Sequence, residues 1–117
     1  MSSDIPGRST DQTDQYEQIK QSLLDLGYAC PGSVAERFMP CGKPSCRCKT
    51  SPQHYHGPYY EWTRKVRAKT VSVRLTRGQA ELYRQAVKNN RRLRKVTAQM
   101  KAISMRALKQ QAQDILR

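Results

Sequence analysis

The stretch from Cys41 to Tyr60 constrains this chain most, because it places three cysteines and two histidines within twenty residues. The cysteines follow the spacing Cys41-x4-Cys46-x-Cys48, and His56 comes eight residues after the last of them. Zinc prefers four nitrogen or sulfur donors in a tetrahedron, and three thiolates with one imidazole supply them. The spacing therefore predicts a metal-bound loop that leads directly into a β-strand.

The expected ligands are Cys41, Cys46, Cys48 and His56. His54 is the alternative for the fourth position, and Cys30 is a more remote one. Residues 1–10 lack the apolar core of a secretory signal, so a reducing cytoplasm is expected, in which clustered Cys and His favour a metal over a disulfide. Free thiols and an iron–sulfur cluster remain open, although the nearby histidines favour zinc.

A catalytic zinc site keeps one coordination position open and needs a nearby acid or base. Glu61 is the only acidic residue within ten positions of His56. We find no acid–base pair, no nucleophile elbow and no glycine-rich phosphate loop. Four protein ligands predict a closed structural site, and we expect a protein that is not an enzyme.

Charge is distributed unevenly along the 117 residues, whose net charge is +13. Residues 1–36 hold six acidic and two basic residues, whereas residues 37–117 hold three acidic and twenty basic ones. So basic a segment favours a polyanionic partner. Nucleic acid is therefore the expected partner, with an anionic membrane surface as the alternative, and a purely solubilising surface is the weaker explanation.

Hydrophobic patterning predicts an α+β fold, in which a small zinc-stapled, three-stranded antiparallel sheet lies between an N-terminal helix and a long C-terminal helix. Residues 1–10 are expected to be a disordered tail, and residues 11–27 an acidic helix with one apolar face. Residues 31–76 are expected to form the zinc-bound β domain, and residues 77–117 the basic helix. The hydrophobic fraction of 37% is low, so a metal would add needed stability. No run has the length of a membrane span.

Three strands are expected within the β domain, at residues 33–39, 59–66 and 70–76. Apolar residues alternate with polar ones in the third strand, which indicates one buried face. Matching apolar faces places Val66 opposite Val71 and Trp62 opposite Leu75, with a loop at residues 67–70. The opposite face would carry Thr63, Lys65, Arg67, Ser72 and Arg74.

The C-terminal segment is expected to be one long helix that begins with a capping box, Thr76-x-x-Gln79. Asn89-Asn90 could bend or break it. An apolar stripe follows coiled-coil spacing, with Ala86, Leu93, Val96, Met100, Ile103 and Ala107. The stripe could pack on residues 11–27 or form a homodimer. A second apolar set, slightly off the stripe, comprises Met105, Leu108, Ala112 and Ile115.

Exposed basic residues on the loop, the sheet and the helix are the candidate nucleic-acid contacts, mainly to phosphates. They are Lys43, Arg47, Lys49, Lys65, Arg67, Arg74, Arg91, Arg92, Arg94 and Lys95. Three tyrosines, Tyr55, Tyr59 and Tyr60, could instead stack on unpaired RNA bases or pack behind the metal loop.

Several short motifs together resemble an uncharacterised family of short prokaryotic and phage-borne proteins. The motifs are Pro31-Gly32-Ser33-Val34, Glu36-Arg37-Phe38, Cys41-Gly42-Lys43-Pro44-x-Cys46-Arg47-Cys48, His56-Gly57-Pro58-Tyr59-Tyr60 and Asn90-Arg91-Arg92-Leu93. The resemblance covers residues 31–108. It implies an association with mobile genetic elements. It also maps the histidine of the motif to His56, whereas His54 and Cys30 lie outside the motif. The second hairpin loop, often glycine-bearing in the family, here holds Arg67-Ala68.

The preferred hypothesis is a cytoplasmic, nucleoid-associated DNA-binding accessory of a mobile element, a partner to a transposase or recombinase. The order of sheet and helix also resembles the arm-site-binding domains of tyrosine recombinases. The alternatives are an RNA-binding or ribonucleoprotein module and a helix-mediated protein-interaction subunit.

Overall fold

The structure is a computed structural model that describes residues 10–116. Its elements are α1 (Thr10–Gln21), β1 (Ser33–Met39), β2 (His56–Val66), β3 (Lys69–Leu75) and α2 (Arg77–Ile115), with two short 3₁₀ helices at Arg47–Lys49 and Pro52–His54. The strands form one antiparallel sheet in the order β1-β2-β3. The α+β prediction is thus confirmed. Of the expected disordered tail, residues 1–9 lie outside the described residues and Thr10 begins α1.

The chain divides into two compact units. One unit, Tyr28–Asn90, contains the sheet, the metal-loop residues and the beginning of α2. The other unit combines the described residues up to Gly27 with α2 from Arg91 onward. No helix among residues 10–116 is both long enough and apolar enough to cross a membrane.

The strand bounds agree with the sequence for β1 and differ by one to three residues for β2 and β3. The predicted register of the β2–β3 hairpin is wrong by two residues. Trp62 lies opposite Val73, Tyr60 opposite Leu75, and Val66 opposite Lys69. A shift of two leaves the side chains of the paired residues on their predicted faces, so Arg64 does lie on the apolar face, opposite Val71.

The register differs because the connection is a two-residue turn rather than the expected longer loop. Its central residues are Arg67, with φ of 50°, and Ala68, with φ of 68°. Positive φ at both positions is what a type I′ turn requires, and this turn matches the right-handed twist of the paired strands. Arg67 therefore lies at the tip of the hairpin and not on the polar sheet face.

The core of the sheet unit forms between one face of the sheet and the first turns of α2. Tyr60, Leu75 and Ala80 are buried, and Trp62 and Tyr83 pack beside them. The rings of Trp62 and Tyr83 are 4.7 Å apart between centroids. The Trp62 indole N–H donates a 2.8 Å hydrogen bond to the Pro31 carbonyl, which attaches the segment before β1 to the sheet.

In the other unit, α1 ends at Gln21, six residues before the predicted end at Gly27. The next residues form tight turns, in which the backbone N–H groups of Leu23 and Leu24 bond to carbonyls three residues earlier. The Ser22 carbonyl then accepts a hydrogen bond from Arg92 of α2. Periodicity alone predicts that the helix continues, but after Gln21 the backbone turns and makes this contact with α2 instead.

Helix α2 runs without interruption through Asn89-Asn90, so the proposed break is absent. The Asn89 side chain makes two hydrogen bonds: its amide nitrogen donates to the Tyr28 carbonyl at 2.8 Å, and its amide oxygen accepts from Gln85 at 3.0 Å. It therefore does not compete for its own helix backbone. The capping box is confirmed by reciprocal hydrogen bonds between Thr76 and Gln79, of 2.9 and 3.2 Å.

The apolar stripe of α2 is partly confirmed. In the unit that includes α1, Val96 and Ile103 are buried, and α1 contributes Tyr16 to a groove that Ile103 also lines. Packing on the N-terminal helix, one of the two options for the stripe, is therefore present. Val87 is also buried, in the sheet unit, and was not part of the predicted stripe.

Candidate metal centre and basic surfaces

The metal loop connects β1 to β2, and pairing of Met39 with His56 closes it. Cys41 follows the end of β1, whereas Cys46 caps the 3₁₀ helix that contains Cys48. His56 is the first residue of β2. Because the sheet holds both ends of the loop, donors that are far apart in sequence are brought to one point.

A glycine immediately after His56 permits this closure. Gly57 has φ of +146°, and a Cβ there would lie 2.8 Å from the Arg37 carbonyl oxygen and 2.9 Å from Cδ1 of Phe38. Those distances are shorter than van der Waals contact, so the approach of β2 to β1 beside the histidine requires glycine.

The donor atoms of Cys41, Cys46, Cys48 and His56 all lie within 4.8 Å of one another. The Cys46 Sγ to His56 Nε2 distance is 3.1 Å, and the Cys48 Sγ to Cys41 Sγ distance is 3.5 Å. With bonds of about 2.3 Å to sulfur, a tetrahedral ion would hold its donors roughly 3.7 Å apart. The four predicted ligands therefore form a cluster that can hold one metal ion. Neither His54 nor Cys30 belongs to it among the described residues.

The thiols of the cluster have different environments. Cys48 is buried, and burial raises the pKa of its thiol. A hydrogen bond with the Cys48 backbone, followed by the contact with His56, lowers the pKa of the Cys46 thiol to about 6. Metal ligands bind as thiolates, so Cys46 is suited to ligation at neutral pH. His56 is exposed, which places one side of the cluster at the surface.

Cys30, the remote alternative ligand, has a structural position instead. Its backbone N–H donates to the Ala86 carbonyl of α2 at 3.1 Å. Burial raises the pKa of its thiol, although the nearby Arg64 opposes this effect. His54 ends the second 3₁₀ helix, two residues before the ligand position.

The predicted basic residues lie on three elements: the metal loop, the sheet and α2. Lys43, Arg47 and Lys49 are exposed on the metal loop. Lys65 and Arg74 lie on the face of the sheet opposite the core, which we call the outer face and which comprises Ser33, Ala35, Arg37, Tyr59, Glu61, Thr63, Lys65, Thr70, Ser72 and Arg74.

The outer face contains one cation that the sequence analysis missed. Arg37 lies on β1 opposite Tyr59, and its Nε is 3.5 Å from the carboxylate of Glu61. The alternation Ser33, Ala35, Arg37 along β1 was the signal that could have identified it. Arg74 stacks over the ring of Tyr59 at 4.4 Å.

The four predicted basic residues of α2 have different environments. Arg92 is engaged with Asp25, at 3.2 Å, and with the Ser22 carbonyl, so its guanidinium has a structural role within its unit. Arg91, Arg94 and Lys95 are exposed. Of the three tyrosines considered for base stacking, Tyr60 is buried in the core and cannot stack on a base.

The comparisons with known proteins point to a family of unknown function, which is consistent with the expectation of an uncharacterised family. Searches of curated proteins and of solved structures gave no significant match. One family model does match, over residues 11–85, which include the metal cluster and all three strands. The chain therefore belongs to the family described as "Domain of unknown function (DUF6788)".

Proposed function

We propose that this chain is a nucleic-acid-binding protein whose preferred ligand is duplex DNA. The observation that carries the proposal is the outer face of the sheet, which leaves three cations, Arg37, Lys65 and Arg74, facing away from the core. Glu61 is the single carboxylate there. Cations on a regular surface match the repeated phosphates of a nucleic acid.

Hydroxyl groups on the same face support a polar ligand. Thr63 and Ser72 lie directly opposite each other, with their oxygens 2.9 Å apart, and Thr70 accepts a hydrogen bond from Lys65 at 2.7 Å. Side-chain hydroxyls are common phosphate and sugar contacts. The outer face therefore offers donors as well as charge, which a merely solubilising surface does not need.

The charge of the whole sheet unit supports the same ligand. Residues 28–90 contain twelve basic and three acidic side chains. Two of the acidic groups are already paired, Glu61 with Arg37 and Glu81 with Arg84. Most of the cations of this unit are thus available to an external polyanion.

We further propose that the metal is zinc and that its role is structural. Three thiolates and one imidazole are a common zinc donor set, whereas iron–sulfur clusters generally take four thiolates. Four protein donors leave no open position for a substrate, so the proposal includes no catalysis at this centre. The ion would join the end of β1 to the beginning of β2.

A role beside a transposase or recombinase of a mobile element is the finer form of this proposal. The motif resemblance supports it, and a DNA-binding accessory that acts in the nucleoid region of the cytoplasm would fit it. RNA is the less favoured ligand because, of the three tyrosines considered for stacking, Tyr60 is buried and Tyr59 is covered by Arg74.

The test is a titration of the purified full chain with duplex DNA and with single-stranded RNA at several salt concentrations. We expect duplex binding that weakens steeply as salt rises. A Lys65→Gln/Arg74→Gln variant should reduce the salt slope by about two, because two phosphate contacts are lost. The matched control is Glu61→Gln on the same face, which should strengthen binding.

Three results would refute the DNA proposal: no duplex binding, a flat salt dependence, or a preference for RNA. Metal content would be assayed on the same samples. A Cys46→Ser variant that lost metal and duplex binding together would link the metal centre to the surface.

A second candidate function is self-association through α2, which one observation favours. Met105, Leu108 and Ile115 are exposed by 70%, 60% and 82%, and they lie on one stripe of the helix. The expected occupant is a second copy of this chain. The opposite charges of α1, which contains Asp11, Asp14 and Glu17, and of Arg106 and Lys109 beside the stripe support this occupant.

Sedimentation velocity tests this association. A dimer that Leu108→Glu dissociates, and that the exposed control Gln113→Glu does not, would support it. A monomer at all concentrations would exclude it, without consequence for DNA binding by the sheet.

A further inference from the structure

The tip of the β2–β3 hairpin combines an unfavourable backbone with a high charge. Val66 pairs with Lys69, so Arg67 and Ala68 alone make the turn, and both have positive φ. Such turns normally take Asn-Gly, because other residues cost roughly 1–2 kcal/mol each in this region. When a turn lacks its preferred residues and no side-chain packing offsets the backbone cost, a functional role for the residues present is the expected reason.

Side-chain packing does not offset this backbone cost at the tip. Residues 65–70 are all exposed, and Val66 keeps 42% of its surface. Among residues 10–116, no side-chain hydrogen bond or ion pair engages Arg67 or Lys69. The long side chain of Arg67 therefore has no hydrogen-bond or ion-pair partner in the described part of the chain.

The charge near the tip is of one sign. Residues 64–69 include four cations and no acid. Arg64 is not part of the exposed set, because its guanidinium covers the Trp62 ring at 4.1 Å. The carboxylate closest along β2 is that of Glu61, five residues from Val66, which is roughly 16 Å along a strand.

The two lysines of the tip lie on opposite faces of the hairpin. Lys65 is on the outer face, where it pairs with Thr70, and Lys69 shares the other face with Val66. An inserted arginine with a cation on each side matches a narrow groove between two rows of phosphates.

We propose that the hairpin tip at residues 66–69 docks over the minor groove of A·T-rich duplex DNA, with the Arg67 side chain inserted into the groove and with Lys65 and Lys69 against the phosphates of the two strands. This proposal rests on the DNA-binding function above and assigns the element that gives it a sequence preference. Narrow A·T minor grooves have an enhanced negative potential that attracts arginine, and their floor presents only hydrogen-bond acceptors.

Groove dimensions favour this ligand over RNA. The DNA minor groove is about 6 Å wide and admits an extended side chain. The minor groove of an RNA helix is wide and shallow and would not enclose the tip. Ala68 adds little bulk beside the arginine, which suits a confined space.

The decisive variant is Arg67→Asn/Ala68→Gly, which supplies the preferred turn residues and removes the guanidinium. We expect this variant to be at least as stable as the wild type to heat. Its affinity for an A·T-rich duplex should nevertheless fall at least about tenfold, and its preference over a G·C-rich duplex should disappear. A protein that folds better and binds worse cannot owe the loss to unfolding.

The control is Arg47→Asn on the metal loop, which removes the same charge elsewhere. It should weaken binding to both duplexes equally and leave the A·T preference unchanged, as expected for a phosphate contact. A small molecule that binds in the A·T minor groove should compete with the wild type for the A·T-rich duplex. It should compete less with the turn variant.

Each outcome decides between the two proposals. If the wild type binds duplex DNA but the turn variant keeps its affinity and its A·T preference, the hairpin inference is wrong and the general DNA-binding proposal stands. Equal wild-type affinity for the two duplexes would likewise overturn the inference. If the wild type binds no duplex, the proposed function itself fails.

Discussion

Sγ of Cys46 lies 3.1 Å from Nε2 of His56, although ten positions separate the two residues. The contact joins a cysteine inside the loop to the first residue of β2, and with Cys41 and Cys48 it completes a four-donor cluster. Because both strands hold the ends of the loop, the cluster depends on the sheet as well as on the cysteine spacing.

His56→Ala should therefore lower metal affinity by at least about 100-fold, since changes even to residues that only support a ligand cost roughly 10- to 100-fold. The matched control is His54→Ala, which removes a histidine two residues away that lies outside the cluster. Competition with a chromophoric chelator measures both affinities. Loss of metal in the His54 variant with retention in the His56 variant would show that the ligand is wrongly assigned.

Gly57→Ala should destabilise the chain by roughly 2 kcal/mol, because the new Cβ would meet the Arg37 carbonyl at 2.8 Å in a backbone conformation that alanine rarely adopts. Gly42→Ala is the control in the same loop, since nothing lies within 4 Å of its Cβ position. Denaturant unfolding of the metal-loaded proteins compares them. Equal effects of the two substitutions would contradict the close approach at Gly57.

Ala68→Gly should stabilise the sheet unit by about 0.5–1 kcal/mol, because glycine accepts the positive φ at the second turn position without a Cβ penalty, while its greater loss of backbone entropy on folding offsets part of that gain. The chemically identical change Ala86→Gly, within α2, should instead cost about 1 kcal/mol. Thermal and denaturant unfolding measure both. A destabilising Ala68→Gly substitution would mean that the turn does not have this conformation.

Thr76→Ala should cost about 1 kcal/mol, because it leaves the Gln79 backbone N–H at the start of α2 without its 3.2 Å acceptor. Gln79→Ala should cost less, because the higher helix propensity of alanine offsets part of the loss of the reciprocal 2.9 Å bond to the Thr76 N–H. The double variant should cost less than the sum of the two, since they share one capping box. Strict additivity in denaturant unfolding would argue that the two bonds are independent.

Much of the fold followed from local patterns in the sequence. The bounds of β1, the capping box and the face of each residue in β2 and β3 all depend on periodicity and on neighbouring residues. The metal cluster was also predictable, because donor types at short spacing limit the possible geometry to one loop.

The tertiary structure decided what depends on partners distant in sequence. Periodicity could place residues on a face but could not distinguish registers two residues apart; the Arg67-Ala68 turn set that register. Likewise, α1 stops at Gln21 where Arg92 meets the Ser22 carbonyl, and α2 continues through Asn89 because that side chain bonds to Tyr28. The sequence by itself thus determined the elements, their faces and the metal donors, whereas contacts between distant residues determined where the helices end and how the strands align.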